Sequence, residues 1–489
     1  MASFENTYAR LPERFYARIS PTRVREPRLI ELNHALVEQL GLEGSPLLEL
    51  DALAGNRLPE GAEPIALAYA GHQFGTFVPQ LGDGRAILLG ELLDREGRRR
   101  DLQLKGSGRT PFSRGGDGRA ALGPVLREYL LSEAMAALGI PTTRALAAVE
   151  TGEPVYREEA LPGALLARVA SSHLRVGTFE FFASRRDTEA LQILIRYALE
   201  RHYPARLGAE EGEALALLDG VIEAQASLVA AWLGVGFVHG VMNTDNSSIS
   251  GETIDYGPCA FLDEYDPAKR FSSIDHGGRY AFSNQPSMAL FNLARLAEAL
   301  MPCIAEDAEE AAGLAGERLE RFAPRFEAAY GRVFGQKLGL SRLDRAQGDG
   351  ELLEELLSRL ARHEIDFTLF FRRLCASAED AGADAEIASL FRQAGVFEPW
   401  AERWRRRLGR EPDAGASAAA RMRQANPARI PRNHRVEEAI VAASLHRDFG
   451  PFRAMLAALS SPYEEDEAHA FLLTPPRPEE RVQRTFCGT

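Results

Sequence analysis

Hydrophobic and polar positions change their spacing along the chain, and each spacing predicts a different kind of element. Between residues 61 and 105, short apolar runs alternate with glycine-containing turns, in the order Ile65–Tyr69, Ala86–Leu92 and Leu102–Lys105. Short apolar runs bounded by glycine are typical of strands joined by turns. This part of the chain therefore predicts an antiparallel sheet.

From Gly123 onward the apolar positions follow a helical period, with spacings near i, i+3 and i+4 at Val125, Leu126, Tyr129, Leu130 and Met135. The segment 139–141, Gly-Ile-Pro, is a helix stop. Residues 188–235 and about 286–408 are again helical in pattern, residues 409–418 predict a loop, and short helices follow. The order is therefore a sheet, then one helix, then a mostly helical half.

The most specific motif lies between the two long helical regions. Residues 239–246 read His-Gly-Val-Met-Asn-Thr-Asp-Asn, and residues 255–257 read Asp-Tyr-Gly. Protein kinases carry His-x-Asp-x-x-x-x-Asn, followed by a metal-binding Asp, an aromatic residue and Gly. Here Val241 stands where the catalytic Asp belongs, and valine cannot accept a proton. The motif predicts either an inactive kinase or a different chemistry in which Asp245 supplies the missing carboxylate.

The element order and this motif together predict an α+β protein with a two-lobed, protein-kinase-like fold. We expect an N-terminal segment and a mainly β lobe with one helix over residues 1–165. A mainly helical lobe with the catalytic loop follows over 166–345, and a long helical C-terminal extension over 346–489. A chain of 489 residues is long enough for this organisation.

Charge and cysteine usage narrow the class of protein. The net charge of −13 argues against nucleic acid as a partner, although basic residues are concentrated between Arg85 and Arg119. The first 26 residues lack the apolar segment of a signal peptide, and we expect no membrane-spanning helix. The four cysteines lie far apart without a Cys-x-x-Cys pair, as is typical of a reducing compartment. The expected location is the cytoplasm.

Two glycine-rich turns with charged residues predict contacts to phosphate. The turn that contains Gly82, Gly84 and Arg85 can present backbone N–H groups to an anion. Taken alone, however, it fits a hairpin connection between strands better. The loop that contains Asp117 and Gly118 is the second candidate, with a flexible connector as its alternative. Neither turn is a strong signal by itself.

Charged residues next to apolar runs extend the candidate site. Lys105 ends a predicted strand, where kinases place the lysine that holds nucleotide phosphates, and a surface lysine is the alternative. Glu128 or Glu133 on the following helix could form an ion pair with Lys105, and we prefer Glu128. Arg168 lies within an apolar run, which favours an inward orientation, and Arg175 follows. A structural ion pair explains either arginine equally well.

Asn246 and Asp255 supply oxygen ligands of the kind that Mg²⁺ prefers. Magnesium sites of this kind use one or two protein groups and leave the remaining positions to phosphate and water. His239 fits a structural role in which its hydrogen bonds hold the loop. The sequence thus predicts a metal site formed by two residues of the same motif.

Six blocks of sequence together resemble the selenoprotein O family, also called YdiU: residues 69–75, 81–85, 104–108, 239–246, 254–258 and 426–434. The match extends from about Phe15 to the C-terminus. The resemblance implies a pseudokinase-like fold that transfers AMP from ATP to Ser, Thr or Tyr hydroxyls of proteins and releases pyrophosphate. It also implies that ATP binds in the reverse orientation relative to kinases, which explains Val241.

The resemblance also implies roles for individual residues. It assigns nucleotide binding to Gly82, Gly84, Arg85, Lys105, Asp117, Gly118, Arg168, Arg175 and Asp255. It assigns Mg²⁺ or Mn²⁺ binding to Asn246 and Asp255, and proton acceptance to Asp245. Some members have selenocysteine near the C-terminus, and Cys487 is the implied sulfur counterpart and a candidate redox residue. This chain has Ser272 where some relatives have a cysteine, and a dispensable thiol is the alternative for Cys487.

Three other functions stay open from the sequence. The first is transfer of UMP from UTP with Mn²⁺, because no residue clearly recognises the base. The second is γ-phosphoryl transfer by a kinase with a displaced base. The third is a non-catalytic nucleotide-binding scaffold, against which the joint presence of Lys105, Asn246 and Asp255 argues.

Overall fold

A computed structural model describes residues 4–412 and 415–485 of the chain. Within these ranges the strands are β1 (Tyr16–Arg18), β2 (Arg28–Leu32), β3 (Ile65–Leu67), β4 (Gly71–Gln73), β5 (Thr76–Val78), β6 (Ala86–Leu93), β7 (Arg99–Lys105), β8 (Ala120–Ala121), β9 (Arg144–Tyr156), β10 (Ala160–Ala170), β11 (Phe237–Val238) and β12 (Ala260–Phe261). The helices in the same ranges are α1 (His34–Leu40), α2 (Leu50–Leu53), α3 (Leu122–Ala137), α4 (Val176–Ala183), α5 (Thr188–His202), α6 (Glu213–Val235), α7 (Gln285–Leu300), α8 (Ala308–Leu319), α9 (Phe322–Lys337), α10 (Asp349–Arg362), α11 (Phe367–Glu379), α12 (Asp384–Ala388), α13 (Glu398–Leu408), α14 (Ala416–Ala425), α15 (Asn433–His446) and α16 (Gly450–Leu459).

Eight strands form one antiparallel sheet in the order β1-β3-β6-β7-β10-β9-β2, with β8 paired to β10. Strands β3, β6 and β7 correspond to the three predicted apolar runs, so the antiparallel sheet is confirmed. The hairpin explanation of the turn 82–85 is wrong. The strand before this turn, β5, pairs with β4, whereas β6 pairs with β3 and β7. The turn therefore connects two different sheets.

The two longest strands, β9 and β10, follow α3 and were not predicted. Both faces of the sheet are covered here, so the inner part of β10 is buried without interruption and lacks the period of two that marks a half-exposed strand. Strand β10 continues to Ala170, five residues past the predicted boundary at residue 165. A division at residue 165 would cut this strand.

Side chains alternate between the two covered faces of the sheet. Leu165, Ala167 and Leu104 pack with helices α1 and α2 on one face. Leu166 faces α3, α15 and α16 on the other face. Because successive side chains of a strand point to opposite faces, Lys105 and Arg168 point to the α3 face. The pairing of Lys105 with Leu166 brings these two strand positions together.

The helical half has two cores. One surrounds α6 and includes residues from α4, α5 and α7. The other contains α9 to α14 and stacks Trp400 on Trp404 at 5.7 Å between ring centroids. Helices α15 and α16 do not join these two cores and instead pack on α3 beside the sheet. The predicted C-terminal extension therefore contributes to two parts of the molecule.

Helix α6 has the length and composition of a membrane span, with a mean hydropathy of 1.5 over its most apolar window. Within the fold, 78% of that window is buried, as is expected for the central helix of a core. Glu213, Asp219 and Glu223 interrupt the apolar residues of this helix, so the sequence contains no uninterrupted apolar run of this length here. A loop that contains Gly208 and Gly212 separates α6 from α5, so the predicted helical region 188–235 is two helices.

Candidate active site

Lys105 at the end of β7 meets Glu128 on α3. The lysine Nζ donates to Oε2 of Glu128 at 2.6 Å, and both side chains are nearly buried. Burial raises the pKa of the Glu128 carboxyl, but the charges of Lys105 and Arg168 outweigh this effect and lower it. Glu133, the other candidate, instead pairs with Arg144 at 2.7 Å.

Three cations converge on Asp255. Its Oδ1 accepts from Lys105 at 2.6 Å and from Arg168 at 2.7 Å, and its Oδ2 accepts from Arg175 at 3.2 Å. Burial raises the pKa of Asp255, but the three positive charges outweigh burial and hold this pKa well below its usual range. With Glu128 included, three cations face two carboxylates. We call these five residues the cation cluster, which carries surplus positive charge.

The backbone of Asp255 has a φ angle of 63°. Aspartate tolerates this left-handed region better than most residues, although it still costs free energy. Next to it, the neutral imidazole of His239 donates from Nε2 to the carbonyl of Ile254 at 2.9 Å and accepts from the N–H of Val241. Burial lowers the pKa of His239. The predicted structural role of His239 agrees with these contacts.

Arg175 links the cation cluster to the catalytic-loop motif. It precedes α4, and its guanidinium lies 4.3 Å above the ring of Tyr69. The same Nη1 that reaches Asp255 also donates to the backbone carbonyl of Asp245 at 2.6 Å. Arg168 and Arg175 therefore do form ion pairs within the protein, as the structural alternative proposed. Their partner is Asp255, the carboxylate that the sequence motif assigns to the candidate site.

Asp245 occupies a short 3-10 turn, residues 244–246, and is buried. Its Oδ2 accepts from the side-chain amide of Gln73 at 3.0 Å, whereas its buried Oδ1 has no hydrogen-bond partner among the described residues. Burial raises the pKa of Asp245 to about 6, against the hydrogen bond from Gln73 and the charge of Arg175. A carboxylate with an unsatisfied oxygen and a pKa near neutrality has the properties of a general base.

The side chain of Asn246 has a defined orientation. Its Nδ2 donates to the carbonyl of Val241 at 3.1 Å, and its Oδ1 accepts no hydrogen bond from the described residues. No group of three or more His, Cys, Asp or Glu side chains suited to a metal is present in residues 4–412 and 415–485. A carboxylate and an amide oxygen, with water and phosphate completing the shell, nevertheless fit Mg²⁺ or Mn²⁺.

Both glycine-rich turns are hydrogen-bonded to the segment 108–113, which lies between them in the chain. The Ser113 hydroxyl donates to the carbonyl of Gly84, and the N–H of Gly108 donates to the carbonyl of Gly118 at 3.0 Å. A Cβ on Gly118 would lie 2.0 Å from the Gly108 oxygen, and a Cβ on Gly82 would lie 2.3 Å from the ring of Phe112. Only glycine fits at either position, so these turns are ordered, tightly packed segments.

Asp117 and Arg85, the charged residues of these turns, differ in whether they form an ion pair within the protein. Asp117 forms an ion pair with Arg157 at 2.9 Å, which together with a hydrogen bond from the Arg119 N–H lowers the pKa of its carboxyl. The Arg85 carbonyl accepts from the N–H of Gly106 at 2.6 Å, and the half-buried Arg85 side chain makes no ion pair in the described part of the chain. Arg85 is therefore a cation available to a ligand, whereas Asp117 already has a partner.

Sequence reasoning missed several residues that shape the site. Gln73 holds Asp245, and Gly71 leaves room for it, since a Cβ there would lie 2.6 Å from Oδ1 of Asp245. Arg127 on α3 donates to the carbonyls of Gly257 and Cys259 and so holds the loop after Asp255. The block 69–75 was recognised as part of a family pattern, but no local spacing revealed its contact with Asp245.

Cys487, the candidate redox residue, lies outside the described residues. The last described segment packs beside the active-site loop. There the N–H of Thr485 donates to the carbonyl of Phe271 at 2.8 Å, and its hydroxyl donates to the carbonyl of Pro258. The neighbouring Cys259 is buried.

Comparisons with known proteins define the class. The chain is 59% identical over 495 residues to a protein of Methylorubrum populi, 58% identical over 489 residues to one of Rhizobium meliloti, and 57% identical over 489 residues to one of Bradyrhizobium. Each comparison covers 99% of this chain and 99% of the relative. All three relatives are named protein nucleotidyltransferase YdiU. The chain is therefore a nucleotidyltransferase.

The family model described as protein adenylyltransferase SelO matches residues 1–460. The chain belongs to this family and is a protein adenylyltransferase. The resemblance inferred from the six sequence blocks is thereby confirmed. The substrates that the family implies are a nucleotide and a protein.

Proposed function

We propose that this enzyme transfers AMP from ATP to Ser, Thr or Tyr hydroxyls of proteins, with release of pyrophosphate, on a two-lobed protein-kinase-like fold. The sheet that carries Lys105, the helix α3 that carries Glu128 and the helical part that carries the loop 239–246 support this fold. The single observation that carries the reaction is the convergence of Lys105, Arg168 and Arg175 on Asp255, with Arg175 also bonded to Asp245.

The cation cluster favours polyanion binding. Among its five members the cluster has one cation more than carboxylates, a charge that phosphate oxygens can balance, and the Asp255 side chain remains partly exposed. Guanidinium groups bind phosphate oxygens with paired hydrogen bonds. We therefore assign phosphate binding to Lys105, Arg168 and Arg175, with Arg85 and the turns at Gly82–Gly84 and Gly118 completing the nucleotide site.

Asp245 would act as the proton acceptor. The hydroxyl oxygen of the protein substrate attacks the α-phosphorus and forms a new P–O bond, while the bond to the β-phosphate oxygen breaks and pyrophosphate leaves. The hydroxyl proton passes to the carboxylate of Asp245, whose raised pKa makes it a competent base near neutral pH. The surrounding cations stabilise the charge that develops on phosphate oxygens.

Oδ1 of Asn246 and the carboxylate of Asp255 would hold Mg²⁺ or Mn²⁺. The bound ion would neutralise charge on the phosphate oxygens. The free Oδ1 of Asn246 and the partly exposed Asp255 fit this assignment. Valine at position 241 is compatible with a base located four residues later in the same loop.

The proposal is tested with ATP labelled separately at the α- and γ-phosphates, in the presence of Mg²⁺ or Mn²⁺. We expect label from the α-phosphate alone on protein, and loss of that label in Asp255→Ala. The matched control is Asp266→Ala, an exposed turn aspartate near the site in sequence. Label from the γ-phosphate alone would identify a kinase and overturn the proposed transfer. UTP in place of ATP tests the base preference.

A further inference from the structure

The short hairpin β4–β5 covers the loop of Asp245. Besides the bond from Gln73 to Asp245, the N–H of Phe74 donates to Oδ1 of Asn243 at 3.1 Å, and the hydroxyl of Tyr280 donates to the same oxygen at 2.6 Å. The hairpin is thus bound to the catalytic loop through main-chain and side-chain groups. Asp245 lies between this hairpin on one side and the bond from Arg175 on the other.

Aromatic rings continue outward from the hairpin. The ring of Phe77 lies 5.0 Å from the His72 ring, which lies 5.9 Å from the ring of Phe291 on α7. The Arg279 guanidinium lies 4.6 Å above the Phe291 ring, and the ring of Phe74 lies 5.1 Å from that of Tyr280. We call Phe74, Phe77, Phe291 and Arg279 the hairpin rim.

The hairpin rim is open to solvent and has unused binding capacity. Phe74 and Phe77 are each 36% exposed, although large apolar side chains of this kind are usually buried. Arg279 forms no ion pair with any carboxylate of the described residues, and its Nε is buried without a hydrogen-bond partner. A carboxylate of a ligand could therefore pair with this guanidinium.

The hairpin also presents a free strand edge. Strands β4 and β5 form a two-stranded sheet, and in the described part of the chain β5 has no second strand neighbour. An unpaired edge can accept an extended peptide through main-chain hydrogen bonds, while side-chain pockets select its sequence. The hairpin rim thus combines a strand edge, apolar rings and a cation that pairs with no carboxylate of the described residues.

We propose that the hairpin rim binds an extended segment of the protein substrate. In this complex an acidic side chain of the substrate pairs with Arg279, and a large apolar side chain packs on Phe74 and Phe77. The acceptor hydroxyl then lies at Asp245. This inference rests on the proposed function and adds to it a substrate class: exposed, extended segments in which a hydroxyl residue is flanked by acidic and large apolar residues.

The test uses the full-length enzyme and a pool of synthetic peptides with one central Ser, Thr or Tyr and randomised flanking positions. α-Labelled ATP reports AMP transfer, and sequencing of labelled peptides reports the flanking residues. We expect enrichment of Asp, Glu and large apolar residues. Two defined peptides taken from the enriched set, one with Glu and one with Lys at the selected acidic position, provide kinetics.

Arg279→Glu should lower kcat/KM for the Glu peptide by about tenfold or more and should raise the value for the Lys peptide, because it reverses the charge of the rim. Phe77→Ser should raise KM for the selected peptide by about tenfold. The matched controls are Arg410→Glu and Leu445→Ser, which change exposed residues far from this hairpin in sequence. Thermal unfolding and ATP binding show that each variant is folded and retains its nucleotide site.

The outcomes separate this inference from the proposed function. Peptides that are labelled without flanking preference, or an Arg279→Glu enzyme with unchanged preference, would overturn the inference and leave AMP transfer intact. A wild-type dimer in light scattering that Phe77→Ser dissociates would assign the rim to a second copy of the chain and would also overturn it. Absence of AMP transfer to any acceptor would overturn the proposed function and this inference with it.

Discussion

Two buried ion clusters on this fold differ in charge balance and in access to solvent. In the cation cluster, Lys105, Arg168 and Arg175 face the two carboxylates of Glu128 and Asp255, and the Asp255 side chain is 22% exposed. The second cluster is centred on Arg201, which pairs with Glu91 at 3.0 Å and Asp101 at 2.5 Å. All three of its members are at most 5% exposed. We call this second group the sealed cluster.

The hydrogen bonds of the sealed cluster are completed from within the protein. Asp101 also accepts from His173, and Glu91 accepts from the N–H of Tyr8 at 2.7 Å. Burial lowers the pKa of His173 to about 4, so it is neutral near pH 7. Burial raises the pKa of Asp101, but the charge of Arg201 and the bond from His173 outweigh it and bring the pKa to about 2.

The comparison teaches that burial of charge alone does not mark a functional site. The sealed cluster is buried and has no excess cation, so we expect it to act on stability. Among its five members the cation cluster has one cation more than carboxylates, and it has an open side, so we expect it to accept an anion. Substitutions in the two clusters should therefore affect different measurements.

The largest effect is expected for Asp255→Asn in the cation cluster. The substitution keeps the shape of the side chain but removes the charge that three cations surround. AMP transfer should fall by about 10³-fold or more, because charge placement supplies most of the rate in phosphoryl transfer. Initial rates with α-labelled ATP measure the loss of AMP transfer. The unfolding temperature of the variant shows whether it is still folded. Transfer within tenfold of wild type would contradict the assignment of Asp255.

Arg201→Met in the sealed cluster should act on stability instead. It leaves the buried Asp101 without an arginine, and it leaves Glu91 only the longer contact with Arg99 at 3.4 Å. The loss should lower the free energy of unfolding by about 3–5 kcal/mol. Chemical denaturation measures this loss, and AMP transfer per folded molecule should stay near the wild-type value at low temperature. A variant that is stable but inactive would show that the two clusters are not separate in function.

Lys337 is a third kind of buried charge site, because it is buried and makes no ion pair in the described part of the chain. Its Nζ lies 4.2 Å from the ring centroid of Phe371. Burial lowers the pKa of Lys337 from its ordinary value of 10.5 to about 7. Between these values the unfolded chain holds a proton that the folded protein lacks, so the contribution of this group to stability rises with pH and is least favourable below pH 7.

Lys337→Met should therefore be more stable than wild type at pH 7. The difference should shrink by about 1.4 kcal/mol per pH unit as the pH rises towards 10. Denaturation of both proteins at several pH values measures this trend. A difference that does not change with pH would mean that Lys337 titrates with the same pKa in both states.

The smallest effect is expected at the surface. Arg345 is 84% exposed and pairs with Glu327 at 2.7 Å. Solvent screens such a pair, so Arg345→Ala should change the free energy of unfolding by no more than about 0.5 kcal/mol. Chemical denaturation of Arg345→Ala and Arg201→Met under the same conditions compares the loss of stability at an exposed and at a buried ion pair. A loss of several kcal/mol would mean that solvent exposure does not separate the two kinds of ion pair.

Much of the candidate site was predictable because its members belong to local patterns. Lys105 ends an apolar run, Glu128 lies on a helix with a clear period, and Asp245, Asn246 and Asp255 share one motif. The strands β9 and β10 were missed because a strand covered on both faces has a continuous apolar run rather than a period of two.

The sequence by itself determined the family, the antiparallel sheet that contains β3, β6 and β7, and the charged residues of the candidate site. Only the tertiary structure decided how these charges combine. The contact of Gln73 with Asp245 spans 172 positions, and the pKa of about 6 at Asp245 follows from burial by distant segments. Sequence periods report neighbours along one strand or helix, whereas electrostatic energy depends on distance through space and on exclusion of water.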